Sequence, residues 1–127
     1  MHTSESQSKF TLYIKLFQFQ KYIYLMVHNF PKEYKYGFGQ SIIDMAWETL
    51  DNTIKANITE NNFKADAIAE ISKSFDKLKT RLRMAYELRL ISNKSYTYIL
   101  KETTGMGREI SRWMNWAKSI KPKQSSA

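Results

Sequence analysis

The chain of 127 residues has no cysteine, two histidines, four glycines and two prolines. Without cysteine there is no disulfide framework, no thiolate zinc site and no cysteine nucleophile. His2 and His28 have no ligand spacing to each other or to a carboxylate, so no metal or other cofactor is expected. A long apolar run is also missing. The richest stretch, Leu12 to Phe30, is interrupted by Lys15, Gln18, Gln20, Lys21 and His28, which argues against both a membrane span and a signal-peptide core. The expected location is the cytoplasm, with no membrane partner. The few glycines and prolines mark ends more than interiors: Pro31 closes the first apolar segment, Gly37-Phe-Gly39 precedes the second, and Pro122 lies in the Lys/Ser-rich tail. Long uninterrupted helices are the natural consequence.

What is present is an apolar share of 43%, enough for a core, and 20 Lys+Arg against 12 Asp+Glu, a net charge of +8. A first helix is expected over about residues 10–30, where Leu12, Leu16, Phe19, Ile23, Met26 and Phe30 recur at spacings of three and four. A second, about 38–60, carries Ile43, Trp47, Leu50, Ile54 and Ile58. The third, about 64–91, has a heptad-like seam of Ile68, Ile71, Phe75, Leu78, Leu82 and Ala85. Ser92 can cap a fourth, with the stripe Tyr96, Ile99, Thr103, Met106, Ile110, Trp113 and Ala117. With short links and no period-two alternation, the expected fold is all-α, an antiparallel up-down four-helix bundle over residues 10–118. Residues 1–9 read as a disordered N-terminal segment and 119–127 as a flexible basic tail.

The first helix carries more apolar surface than one seam uses, including Tyr13, Phe17 and Tyr24. A helix that is apolar nearly all round is buried nearly all round, so these three residues are expected at a homo-oligomer interface.

Charge is unevenly spread. Residues 37–63 sum to −3, residues 64–91 to +3 and residues 92–127 to +5. On the third helix Lys73, Lys77 and Arg81 follow one side of the seam, and Lys79 and Arg83 the other. Arg108, Arg112 and Lys118 continue the basic array on the fourth. Such an array suits a phosphate backbone; the plainer alternative is a solvated face. Trp116 is the better candidate for stacking on a base, because Trp113 lies on the core stripe.

Catalysis is not expected. Asp44, Glu48 and Asp51 share a face of the second helix with no histidine beside them. Gly37-x-Gly39 and Gly105-x-Gly107 lack the further glycine and preceding strand of a phosphate loop. No nucleophile has a recognisable base, and no small-molecule substrate is expected.

The segment Phe30-Pro-Lys-Glu-Tyr-Lys-Tyr-Gly-Phe-Gly-Gln-Ser-Ile-Ile43 resembles the loop and second-helix start of small bacterial four-helix-bundle proteins. These include proteins encoded in intervening sequences of 23S ribosomal RNA genes and the accessory variability determinant, Avd, of diversity-generating retroelements. Where the ribosomal branch has Asn-Ile-Ala-Glu-Gly, this chain has Lys55-Ala-Asn-Ile-Thr-Glu-Asn61, which looks more like Avd. The run from Phe75 to Ser92, followed by Tyr96, is similar to the third helix and cap of Avd. Glu109-Ile-Ser-Arg-Trp-Met-Asn-Trp-Ala-Lys118 resembles its closing segment, with Ser111 and Asn115 in place of the family's glycines. The resemblance covers roughly residues 15–118. It implies a non-enzymatic helper of a retroelement reverse transcriptase, assembled as a barrel-shaped homopentamer, that binds the polymerase and binds RNA and DNA with little sequence preference during mutagenic cDNA synthesis. The alternatives are a protein of the ribosomal intervening-sequence type and a structural oligomeric scaffold with no nucleic-acid role.

Overall fold

The computed structural model describes residues 3–120, with side-chain environments from Thr11 onward. Among the described residues all regular structure is helical. Four long helices, α1 (Thr3–His28), α2 (Gln40–Ile58), α3 (Asn61–Glu87) and α4 (Asn93–Ser119), are joined by short links. α1 packs on α2 and α4, and α3 packs on the same two. This is the expected up-down four-helix bundle.

α1 begins at Thr3, well ahead of the start near Phe10 that the periodicity suggests, so residues 3–9 are helical rather than an irregular segment. The first two residues and the tail beyond residue 120, with Lys121, Pro122 and Lys123, lie outside the described residues.

Three of the four apolar stripes face the core as their spacing requires. Leu12, Leu16, Phe19, Ile23 and Phe30 are buried, with Val27 taking the place expected for Met26, which is half-buried. All six seam residues of α3 are buried, as are Ile99, Thr103, Met106, Ile110, Trp113 and Ala117 of α4. Each large apolar side chain so buried contributes about 1.5–3 kcal/mol.

The stripe of α2 is different. Only Ile43 and Leu50 of the expected five are buried; Trp47, Ile54 and Ile58 are exposed. The core-facing surface is instead Ile42, Ala46, Thr49, Thr53 and Ala56, flanked by Ile43 and Leu50. Small side chains here let α2 lie close between its neighbours. The two threonines can be buried because each hydroxyl donates one turn back, Thr49 to the Met45 carbonyl (2.9 Å) and Thr53 to that of Thr49 (2.9 Å).

The corners are built in two ways. Pro31 ends the first helix segment, and Lys32–Tyr34 and a wide π-type turn, Lys35–Gly39, lead straight into α2. Gly39 is required there by space and not by its φ of −60°: a Cβ would lie 2.6 Å from Val27 Cγ1. At the other corner Leu90 N–H donates to the Ala85 carbonyl and Arg89 N–H to that of Tyr86 (both 2.9 Å), the paired bonds of a Schellman cap. That cap puts Arg89 in the left-handed region at φ 63°. Ser92 then caps α4, its Oγ accepting from Ser95 N–H at 3.0 Å. Lys64 does a further capping task. Buried at the start of α3, it donates to the Ala56 and Asn57 carbonyls at the end of α2 (2.8 and 3.4 Å), where a cation meets the negative end of the helix dipole.

Candidate nucleic-acid interface and assembly face

The cations expected to meet phosphate fall into distinct groups. On α3 most are already occupied. Lys73 pairs with Glu70 (3.1 Å), Lys79 with Asp76 (3.4 Å) and Arg83 with Glu87 (3.6 Å), all exposed pairs within one turn. Arg81, half-buried, donates to the Lys77 carbonyl (3.2 Å). Lys77 is exposed on the same side of the seam. Exposed pairs of this kind contribute little to stability and break readily, yet each carboxylate cancels local positive field.

On α4 the arrangement differs. Arg108 and Arg112 are exposed, and among the described residues no ion pair forms at either. They sit on one wall of a groove between α3 and α4 of about 560 Å³, lined also by Lys79, Thr104, Ser111 and Asn115, with Gly107 and Thr103 toward its floor. The lining therefore holds three cations, several neutral hydrogen-bonding groups and no carboxylate. Lys118 is exposed near the end of α4 and does not line the groove. Trp113 is fully buried and Trp116 is half-buried against the core. The ring proposed for base stacking is thus largely committed to packing.

The acid between the two arginines turns the opposite way. Glu109 is buried and accepts from Lys15 Nζ at 2.6 Å, an ion pair that ties α1 to α4 and takes the Glu109 charge away from the groove. Nearby, Tyr22 and Tyr98 rings meet at 4.8 Å. Burial, then the Glu102 carboxylate and Tyr22, hold the Tyr98 phenol above its ordinary value of 10.0.

The expected interface residues Tyr13, Phe17 and Tyr24 are exposed, at 36%, 44% and 45%. All three lie on the side of α1 that faces α2, the side from which Gln20 Nε2 reaches the Ile43 carbonyl (3.3 Å). Trp47 Nε1 donates to Tyr24 Oη at 2.8 Å. The helices are antiparallel, so seven residues back along α1 and seven forward along α2 bring Phe17 level with Ile54, and eleven bring Tyr13 level with Ile58. A continuous apolar strip thus runs along the α1–α2 groove. The residues that failed to enter the core, Trp47, Ile54 and Ile58, supply half of it. Their helical spacing marked them as one face; only the packing of α2 identifies that face as outward. The carboxylates Asp44, Glu48 and Asp51 are exposed on the next sector of α2.

A family model described as bAvd-like matches residues 10–117. The chain belongs to the bAvd-like family. No curated protein and no solved structure matches it significantly. The match spans all four helices of this bAvd-like bundle, so the apolar strip and the cationic groove both lie within the shared domain. No helix among the described residues is long and apolar enough to cross a membrane.

Proposed function

We propose that this bAvd-like protein is a non-enzymatic accessory factor of a diversity-generating retroelement, which assembles through its α1–α2 face and binds RNA or DNA through its α3–α4 face while engaging the element's reverse transcriptase. Family membership supports an Avd-type accessory role, and the retroelement context is read from it. The observation that carries the nucleic-acid part is the groove with Lys79, Arg108 and Arg112 and no carboxylate in its lining. The apolar strip from Tyr13 to Ile58 supports self-association, because contiguous apolar surface of this kind on a small domain marks a contact site.

Two measurements test the reading. Filter binding with unrelated RNA and DNA at low salt should give retention that falls steeply as salt rises. Absence of retention at low salt would leave the scaffold reading, in which the basic face meets an acidic protein. Solution mass should exceed that of one 15.0 kDa chain, with five copies the family expectation. Copurification with a retroelement reverse transcriptase tests the remaining partner.

A further inference from the structure

We infer that the α3–α4 groove is a seat for the phosphodiester backbone of one single strand, with Arg108 and Arg112 as its two anchors and the α3 cations as a weaker outer field. This deepens the nucleic-acid reading above and rests on it.

The inference starts from what each cation already has. Lys73, Lys79 and Arg83 have carboxylates within 4 Å, and Lys79 also lies over the Phe75 ring at 5.0 Å. A phosphate arriving at these side chains must compete with Glu70, Asp76 and Glu87. Arg108 and Arg112 have no such competitor among the described residues, and the one carboxylate between them in sequence, Glu109, is turned inward onto Lys15. Unpaired guanidiniums whose planar forks fit phosphate oxygens are the stronger anchors.

Geometry then selects the ligand. Four residues apart on one helix, the two arginines are separated by a rise of about 6 Å along the axis, a spacing suited to successive phosphates of one extended strand. Thr104, Ser111 and Asn115 add neutral hydrogen-bonding groups that match phosphate and sugar oxygens of any sequence. A flexible single strand can bend to keep successive phosphates on both anchors along the groove, whereas a duplex is stiff over this length and pays to follow it.

The test compares Arg108→Gln/Arg112→Gln with Lys73→Gln/Arg83→Gln, which removes equal charge from paired positions. A labelled single strand, a duplex of the same length and pyrophosphate serve as probes. All four substituted residues are exposed, and circular dichroism checks the fold. The groove variant should lose about 25-fold in single-strand affinity at 0.1 M salt, the value for two lost phosphate contacts, with the salt slope flattened by about 1.4. The control should lose about threefold or less, and duplex binding should fall less than single-strand binding. Ser111→Glu, which places a carboxylate in the groove without removing a cation, should reproduce the loss. Pyrophosphate should raise the melting temperature of wild type and not of the groove variant.

Equal losses in the two double variants would overturn the seat in favour of a diffuse field. An equal or larger loss on duplex would overturn the single-strand assignment. A pyrophosphate shift without strand binding would show a phosphate site and overturn the strand as its ligand. If wild type retains neither RNA nor DNA, the broader reading fails as well, a result distinguishable from a wild type that binds and a groove variant that binds equally.

Discussion

The α1–α2 hairpin and the α3–α4 hairpin share one plan, two antiparallel helices with apolar residues toward a common core, yet they present opposite chemistry along their outer grooves. Between α1 and α2 the rim is Tyr13, Phe17, Tyr24, Trp47, Ile54 and Ile58, with carboxylates on the adjoining sector of α2. Between α3 and α4 it is Lys79, Thr104, Arg108, Ser111, Arg112 and Asn115. Both hairpins turn apolar or small residues to the core, so it is the residues one step off each seam that give the two grooves different surfaces. An apolar groove gains by excluding water; a cationic groove gains by releasing counterions from a polyanion.

Salt should separate the two most widely. With about four phosphate contacts, a tenfold rise in salt lowers single-strand affinity roughly 600-fold. Association through the apolar strip should be unchanged or strengthened, since apolar burial does not depend on charge screening. Light scattering and nucleic-acid retention on the same samples read both. A particle that falls apart in parallel with the loss of binding would mean that charge, such as acidic α2 against basic α3–α4 of a second copy, holds the assembly.

Next in size is the effect of polar substitutions in the strip. Phe17→Ser with Ile54→Ser removes two exposed apolar side chains that face each other across the α1–α2 groove. Each is worth about 1.5–3 kcal/mol when fully buried, so the particle should shift to smaller species at micromolar concentration. Both side chains are already exposed in the chain, at 44%, so the folding stability of the dissociated subunit should change by about 1 kcal/mol or less. Unchanged solution mass would remove the strip from the interface; loss of folding in place of loss of assembly would make it core.

The same strip explains why the inward face of one helix was misread in the sequence while those of the other three were not. Apolar periodicity locates a core face when the largest apolar side chains point inward, and in α1, α3 and α4 they do, from Leu12 through Trp113. In α2 large apolar side chains point both ways: Ile42, Ile43 and Leu50 are buried while Trp47, Ile54 and Ile58 are exposed, and the rest of the buried face is Ala46, Thr49, Thr53 and Ala56, whose threonine hydroxyls are satisfied within the helix. A hydrophobicity pattern weights size and cannot tell a rim from a core; the signal that could have helped was the small-residue spacing of Ala46, Thr49, Thr53 and Ala56. The basic array was legible as charge. Which cations are paired was not, because Glu109 reads as one more acid beside Arg108 and Arg112 until α1 brings Lys15 to it.

A third contrast lies in the corners. Gly39→Ala places a methyl 2.6 Å from Val27 Cγ1 and 3.3 Å from both Phe30 Cδ2 and the Tyr34 carbonyl oxygen. One of those neighbours is backbone, so the α1–α2 corner cannot relax by a rotamer change alone. Overpacking should lower stability by about 1–3 kcal/mol, read as a lower urea midpoint with unchanged slope. Gly37→Ala, where a Cβ meets nothing within 4 Å, should be neutral or slightly stabilising. Equal effects at the two glycines would show that the π-type turn, not close packing, sets this corner.

The α3–α4 corner should respond with the opposite sign and the smallest amplitude. Arg89 holds φ 63° at the left-handed position of the cap, which costs an L-residue about 1–2 kcal/mol. Arg89→Gly relieves that cost but adds freedom to the unfolded chain, about 0.5–1 kcal/mol, so the net gain should be about 0.5–1 kcal/mol in thermal or urea unfolding. The charge lost is not a groove charge: Arg89 lines a separate cavity with Tyr86, Glu87 and Asn93 at the end of the hairpin. Strand affinity should therefore fall by less than the roughly fivefold expected for one groove arginine at 0.1 M salt. A stabilised variant with full binding would separate the corner from the groove. One that binds as weakly as Arg108→Gln would extend the strand's path past Ser92 to the end of the hairpin.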